Sequence, residues 1–112
     1  MIAHVVLFRP RADLSTADRD ALFESMRAAY RAIPQIQRFV VGRRIRTGFP
    51  YESLARDFPF FAMLEFATAA DLDTYLAHPA HVQLGDQFYL TSDAAEAYDY
   101  SMSDVSEGLD TL

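Results

Sequence analysis

Short segments rich in apolar residues alternate along the chain with longer segments that have helical spacing. Residues 2–9 carry apolar side chains at both odd and even positions, a pattern typical of a strand that is covered on two faces. Residues 60–66 have the same character, while residues 37–46 and 94–102 have weaker strand patterns. The pattern therefore predicts four strands.

Between the first two predicted strands, apolar residues recur with the 3.6-residue period of an amphipathic helix. Ser15, followed by an acidic residue three positions on, predicts the start of this helix as a variant of the capping box. Pro34 predicts its end near residue 33, since the residue before a proline avoids the α region. The apolar stripe consists of Leu22, Phe23, Met26, Tyr30 and Ile33.

The helical segment after the third predicted strand is interrupted at Pro79. Thr68 predicts its start, again with an acidic residue three positions on, and the proline ends it. The same proline suits the first turn of a new helix, which we expect to run to about residue 90 with His78 near its N-cap. Tyr75, late in the first of these helices, and His81, in the first turn of the second, are thus close along the chain.

Four of the ten arginines lie in the second predicted strand, at positions 38, 43, 44 and 46. We interpret this segment as an edge strand that is protected by charge; the alternative is an anion-binding site.

A loop is predicted over residues 47–59, where Gly48, Pro50 and Pro59 interrupt regular structure, with a short helical turn at residues 51–56. This loop either covers the mouth of a pocket or packs on the surface.

The order of these elements is β-α-β-β-α-β, which predicts an α+β fold of the ferredoxin-like type with an antiparallel sheet and helices on one face. One layer of helices leaves the other sheet face uncovered, although the first and third strands are apolar on both faces. A second copy of the sheet is the simplest cover, so a homodimer is predicted. We expect one domain over residues 1–102 and a flexible acidic tail over residues 103–112.

Composition narrows the possible functions. The net charge of −6 argues against a nucleic-acid partner, which needs a basic surface. The sequence has no lysine for a Schiff base and no cysteine for thiolate chemistry. No segment resembles a signal peptide or a membrane span, so we expect a cytoplasmic protein without membrane contact.

A set of motifs occurs along the chain in a recognisable order. They are the opening Ile2-x-His4-Val-Val-Leu-Phe, Pro34 with Val41-Gly42, Leu64-Glu-Phe66, Asp71-Leu-x-x-Tyr75-Leu-x-His78-Pro-x-His81 and the closing Tyr98-Asp-Tyr100. Together they resemble the stress-responsive A/B barrel domain family over residues 1–102. The resemblance implies a dimeric α/β barrel. This family includes plant stress proteins without assigned chemistry, and cofactor-free lyases and polyketide cyclases that perform aldol-type ring closure.

Within the family, the resemblance is to the plant polyketide (olivetolic acid) cyclase type, in which a Tyr–His pair transfers protons without a cofactor. The positions of that pair match Tyr75 and His81, and a histidine of the first strand matches His4. Phe60 stands where that type has another histidine. Bulky pocket residues near the C-terminus are replaced by small ones, which implies a different substrate; the small residues are Ser92, Ala95 and Ala97.

The chemistry that these side chains support is general acid–base catalysis. His81 can act as a base when it is neutral, and a helix N-terminus disfavours the imidazolium. Tyr75 can donate a hydrogen bond to a developing oxyanion or orient the imidazole. His4 reaches the same region only if the even-numbered face of the first strand faces the helices; the alternative is a hydrogen-bonded core histidine. The predicted catalytic residues are therefore Tyr75, His81 and His4.

A small hydrophobic molecule is the predicted ligand. Two apolar residues of the first strand would line the pocket beside His4, and the first helix would form the opposite wall. The predicted ligand contacts are Val6, Phe8, Leu22, Phe23, Met26, Ala62, Leu64, His78, Leu84 and Gly85. We predict no cofactor, because no residue points to a haem or a flavin. We also predict no metal site, because the spacing of His78, His81 and Asp86 matches no established metal motif.

Two functional interpretations remain open. One is a cofactor-free enzyme that acts on a small aromatic or polyketide-like molecule through Tyr75 and His81. The other is a non-catalytic dimer that binds a hydrophobic ligand or serves as a stress protein. Histidines and tyrosines around an apolar pocket favour the first interpretation. The occurrence of the motif throughout the family favours the second.

Overall fold

The computed structural model describes residues 1–110. These residues form four strands and four helices. In chain order they are β1 (Ile2–Pro10), α1 (Thr16–Ala32), β2 (Arg38–Arg43), α2 (Tyr51–Leu54), β3 (Phe60–Phe66), α3 (Ala69–Ala77), α4 (Pro79–Thr91) and β4 (Ser92–Ser101). The predicted order is confirmed, with α2 as the short helical turn of the long loop.

The strands form one sheet in the order β2-β3-β1-β4, and every neighbouring pair is antiparallel. This is the predicted ferredoxin-like α+β fold. Strand β2 lies at one edge of the sheet, as the charge pattern predicts. It is shorter than the predicted strand, because it ends at Arg43 and leaves Arg44 and Arg46 in the loop that follows. Strand β4 forms the other edge, beside the central strand β1.

The even-numbered face of β1 faces the helices. The ring of Phe8 lies 5.0 Å from that of Phe88 in α4, and the ring of His4 lies 5.6 Å from that of Tyr75 in α3. Strand register places Leu64 and Asp99 on either side of His4. The orientation required for His4 to reach the site is therefore present.

The hydrophobic core lies between this face and the helices. Helix α1 packs against α4, and together with α3 they bury the inner positions of β1 and β3. The buried cluster consists of Phe8, Leu22, Met26, Ala29, Ile33, Ile36, Ala62, Leu64, Phe66, Leu72, Tyr75, Leu84 and Phe88.

The opposite face of the sheet is mainly apolar, although Arg38, Glu65 and Glu96 share it. Val5 and Leu7 of β1 are only partly buried, because the core cluster lies on the other side of the strand. Gly42 of β2 shares this face with Phe61, and a Cβ at Gly42 would overlap the Phe61 ring. This outer face, which we define as Val5, Leu7, Val40, Phe61, Met63, Tyr98 and Tyr100, is the surface that the sequence assigns to a second copy.

The helix starts follow the predicted caps. The hydroxyl groups of Ser15 and Thr68 accept hydrogen bonds from the third residue on, each at 3.1 Å. His78 separates α3 from α4, and its Nδ1 accepts a hydrogen bond from the Ala80 N–H at 3.0 Å. Helix α4 and strand β4 follow each other without a loop, so β4 begins two residues earlier than the pattern predicts.

Residues 103–110 form neither a helix nor a strand. Their one local anchor is Asp104, whose carboxylate accepts hydrogen bonds from the N–H and the hydroxyl of Ser106 at 2.9 and 2.6 Å. The flexibility of this tail stays a prediction, and residues 111–112 of it lie outside the described part of the chain. No helix among residues 1–110 is both long and apolar enough to cross a membrane.

Candidate functional site

The break between α3 and α4 brings two predicted catalytic side chains together. The ring centroids of Tyr75 and His81 are 4.6 Å apart. In an uninterrupted helix, residues six apart would be separated by about 9 Å along the axis and would lie on different faces. The turn at His78 and Pro79 removes that separation. The proline that ends α3 thus brings the side chains of Tyr75 and His81 together.

His81 is held in one orientation by the end of α3. Its Nδ1–H donates a hydrogen bond to the carbonyl oxygen of Leu76 at 2.9 Å. This carbonyl lies in the last turn of α3, where the helix itself offers no partner. In the neutral ring, the other nitrogen, Nε2, is then the unprotonated one and can accept a proton.

Burial lowers the pKa of His81 below its ordinary value. The nearby His4 lowers this pKa further, whereas the hydrogen bond to Leu76 acts in the opposite direction. The neutral imidazole is therefore the stable form near neutral pH, as a general base requires.

Tyr75 has the opposite character, that of a proton donor. It is 2% exposed and packs against Phe66 at a centroid distance of 5.2 Å. Burial raises the pKa of Tyr75, and the carboxylate of Asp99 raises it further. The phenol thus keeps its proton at physiological pH and can donate a hydrogen bond to a developing oxyanion.

A second imidazole, that of His4, approaches the same point from the sheet. His4 is 6% exposed, and its Nδ1 lies 2.5 Å from Oδ1 of Asp99 on the neighbouring strand β4. Its ring centroid is 5.6 Å from that of Tyr75 and 6.5 Å from that of His81. His4 is thus both a buried, hydrogen-bonded residue and part of the site, so the two interpretations of this histidine are compatible.

These side chains lie on a cavity of about 470 Å³ between α4 and β4. Its lining is mainly apolar, with the polar groups of the Tyr75, His81, His4 and Asp99 side chains gathered at one end. The lining residues are His4, Val6, Tyr75, Leu76, His81, Leu84, Gly85, Phe88, Tyr89, Ala95, Glu96, Ala97 and Asp99. A few polar groups in an apolar cavity are typical of a small-molecule site.

The structure brings together six of the residues predicted from sequence, namely His4, Val6, Tyr75, His81, Leu84 and Gly85. The other predicted contacts do not line this cavity. Leu22, Met26, Ala62 and Leu64 are core residues, Phe8 and Phe23 border a shallow depression next to β2, and His78 caps α4. The reason is that α1 packs over the β3 side of β1, so α4 and β4 form the walls around Val6.

Sequence reasoning missed Asp99 and much of the wall that α4 provides. Phe88 lies seven residues after His81 on the same helix face, so helical spacing could have identified it. Ala95 and Ala97, noted in the sequence only as small replacements, are lining residues. Asp99 carries no comparable local signal, because its role depends on the pairing of β4 with β1. Among residues 1–110, no group of three or more His, Asp or Glu side chains is arranged to hold a metal ion.

Comparison with known proteins supports the architecture. A family model described as "Stress responsive A/B Barrel Domain" matches residues 2–102. No curated protein sequence gives a significant match.

Solved structures share the fold at low sequence identity. A hydroxynitrile lyase from Passiflora edulis is 16% identical, with 92% of this chain and 94% of that chain covered and a TM-score of 0.77. A dimeric ferredoxin-like protein of unknown function from Thermobifida fusca is 17% identical, with 90% of both chains covered and a TM-score of 0.70. A mutant of SnoaB, a cofactor-independent oxygenase from Streptomyces nogalater, is 14% identical, with 92% and 93% covered and a TM-score of 0.68.

Proposed function

The chain belongs to the stress responsive A/B barrel domain family, and we propose that it is a cofactor-independent enzyme that performs acid–base chemistry on a small, largely apolar carbon acid. The reaction class is that of the family's cyclases and lyases, with aldol-type ring closure of a polyketide-like substrate as the specific case. The observation that carries the proposal is the orientation of His81. Its Nδ1 is engaged by the Leu76 carbonyl at 2.9 Å, and Tyr75 lies beside it in an apolar cavity.

In the proposed reaction, Nε2 of His81 removes a proton from the carbon next to a substrate carbonyl. The electron pair of the broken C–H bond moves to the carbonyl oxygen, where the hydroxyl of Tyr75 donates a hydrogen bond to the enolate. The enolate carbon then attacks a second carbonyl of the same molecule, and the imidazolium of His81 returns the proton to the new alkoxide. No external oxidant or reductant is needed.

Asp99 is proposed as a positioning residue for His4. The short contact from Oδ1 of Asp99 to Nδ1 of His4 directs the other nitrogen of this ring away from β4. His4 would then contribute a second polar contact for the substrate carbonyl next to Tyr75, at a ring distance of 5.6 Å.

Two of the solved neighbours are consistent with chemistry of this kind. One is described as a hydroxynitrile lyase and another as a cofactor-independent oxygenase. At 16% and 14% identity the likeness extends to the fold alone, so the proposal rests on the side chains of the cavity.

A homodimer is part of the proposal. The apolar outer face of the sheet needs a cover, and a neighbour with the same fold is described as dimeric. Face-to-face packing of two such sheets would form the dimeric α/β barrel that the family resemblance implies.

The test is turnover of a panel of poly-β-keto substrates by the native protein and by variants. His81→Ala should reduce the rate by about 10²–10⁴-fold because it removes the general base. Tyr75→Phe should also reduce it, and the double variant should lose far less than the product of the two factors. Tyr30→Phe, which deletes a phenol from a half-exposed position on α1, is the matched control and should leave the rate unchanged. Turnover by His81→Ala at the native rate would contradict the catalytic assignment.

A non-catalytic ligand-binding dimer is the alternative, favoured by the mainly apolar cavity lining. In that case the affinity for a hydrophobic ligand should depend on Leu84 and Phe88, and His81→Ala should change it little. Ligand titrations run beside the turnover assays on the same variants separate the two functions.

A further inference from the structure

A second cavity, of about 490 Å³, adjoins the candidate site along the same seam between α4 and β4. It shares Phe88, Tyr89 and Ala95 with the first cavity, so the two are the ends of one cleft. The first end holds His4, His81 and Tyr75. The second end is lined by Arg11, which follows β1, and by Ser92, the first residue of β4.

Small side chains on β4 keep this cleft open over its length. Ala95 and Ala97 both face the helices, opposite Phe8 and Val6 of β1 in register, and both are exposed. From Ser92 to Ala97 the strand advances by five residues, which is about 17 Å. The cleft is therefore long, and its floor is apolar.

The far end of the cleft carries polar groups that the fold itself does not use. Within residues 1–110, the hydroxyl of Ser92 is the buried side-chain group that has no hydrogen-bond partner. Buried hydroxyl groups normally have a hydrogen-bond partner, so a buried hydroxyl group without a partner next to a cavity points to a ligand.

Arg11 supplies a positive charge at the same end. Its nearest carboxylate within the described residues is that of Asp13, 3.6 Å from Nε and largely exposed, a distance too long for a hydrogen bond. Asp93, the acid that lines this cavity, already accepts a hydrogen bond from Nε of Arg9 at 2.6 Å. Arg11 is thus the cation that can receive an incoming anion.

We infer that the cleft binds an extended aliphatic chain that ends in a carboxylate. The carboxylate accepts hydrogen bonds from the Arg11 guanidinium and the Ser92 hydroxyl, and the chain lies on Ala95 and Ala97 beneath Phe88 and Tyr89. The other end of the molecule reaches Tyr75 and His81. This assignment names the substrate class of the proposed enzyme. Its statement about the end that reaches Tyr75 and His81 rests on that proposed function, whereas its statement about the carboxylate end does not.

Binding can be tested without turnover by calorimetric titration with decanoate, its uncharged amide decanamide, and butanoate. Decanoate should bind more tightly than decanamide, because the amide has no charge for Arg11, and more tightly than butanoate, which is too short to cover the apolar floor. Arg11→Gln should weaken decanoate binding about tenfold or more and leave decanamide unaffected. Arg19→Gln, which removes an exposed arginine of α1 outside the cleft, is the matched control and should bind decanoate like the native protein.

Two further variants locate the ligand. Ser92→Ala should weaken decanoate binding without lowering the melting temperature, since the lost hydroxyl has no partner in the protein. Ala95→Phe should fill the shared middle of the cleft and abolish decanoate binding. The amide resonances of Ser92 and Ala95 should shift on addition of decanoate to the native protein.

The outcomes also separate this inference from the proposed function. Equal affinity of Arg11→Gln and Arg19→Gln for decanoate would overturn the inference, even if His81-dependent turnover of a short substrate were found. Arg11-dependent decanoate binding in a protein without turnover would support the cleft assignment and count against the catalytic proposal alone.

Discussion

At the residue scale, the orientation of the His81 imidazole decides which of its two nitrogens can accept a proton. Leu76 engages Nδ1 of His81, so Nε2 is the atom left for a substrate. Burial favours the neutral ring of His81 and the protonated phenol of Tyr75 at the same pH. Two adjacent groups whose pKa values move in opposite directions provide a base and an acid together.

The lowered pKa of His81 predicts a pH dependence of stability. An unfolded chain protonates this histidine near its ordinary pKa of 6.5, whereas the folded protein does so only at lower pH. Between those two values the unfolded state binds more protons, so the free energy of unfolding falls as the pH drops from about 6.5 through the folded-state pKa. Above about pH 6.5 this contribution to the pH dependence vanishes.

Urea denaturation of the native protein and of His81→Gln at a series of pH values measures this effect. The native protein should lose stability more steeply than the variant as the pH falls below about 6.5. Parallel pH profiles would show that the folded protein does not lower the pKa of His81.

At the element scale, the boundary between α3 and α4 builds the site. His78 ends one helix and caps the next, so the histidine that the sequence predicted as a ligand contact has a structural role at this boundary. Its contact with the Ala80 N–H fixes the first turn of α4, which carries His81. The position of His81, the proposed general base, thus depends on a cap three residues earlier.

Removal of that cap should affect both stability and the site. His78→Ala should lower the free energy of unfolding by about 1 kcal/mol and loosen the contact from His81 to the Leu76 carbonyl. Ser15→Ala, which removes the equivalent cap of α1, is the control with a similar stability loss and an unchanged site. Urea denaturation gives the stability, and the Nδ1–H resonance of His81 reports the contact. An unchanged resonance in His78→Ala would show that the cap does not position His81.

At the scale of the whole molecule, the sheet has two mainly apolar faces, and the helices of residues 1–110 cover one of them. The inner face forms the core and the candidate site, while Val5, Leu7 and Met63 lie on the outer face. Apolar surface of this kind is typical of an interface between subunits. We therefore expect the outer face to pair with a second copy.

Sedimentation should give a mass of about 25 kDa, twice the 12.7 kDa of one chain. Val5→Glu places a charge at the centre of the outer face and should yield a folded monomer. Val82→Glu makes the same change at an exposed position of α4 and should remain dimeric. A native protein that sediments as a monomer at micromolar concentration would exclude the barrel.

Deletion of residues 103–112 should leave the melting temperature nearly unchanged. Residues 103–110 are exposed, and the hydrogen bonds at Asp104 are local to the tail. A fall of several degrees in a calorimetric scan would show that the tail packs on the body of the protein.

The sequence by itself determined the elements and their order. The caps at Ser15 and Thr68, the break at Pro79 and the strand Phe60–Phe66 were all predictable. These signals act over a few residues, through backbone hydrogen bonds and the shape of proline. The proximity of Tyr75 and His81 followed from the break, so the centre of the site was accessible to sequence reasoning as well.

Only the tertiary structure decided what surrounds that centre. Asp99 lies 95 residues from His4 along the chain, and their 2.5 Å contact exists because β4 pairs with β1 in one register. The pairing also sets Ala95 and Ala97 against α4, whereas the sequence pattern favoured α1 as the opposite wall. A shift of one residue in such a pairing turns every side chain of the strand to the other face, and no local pattern in β4 specifies which register its partner accepts.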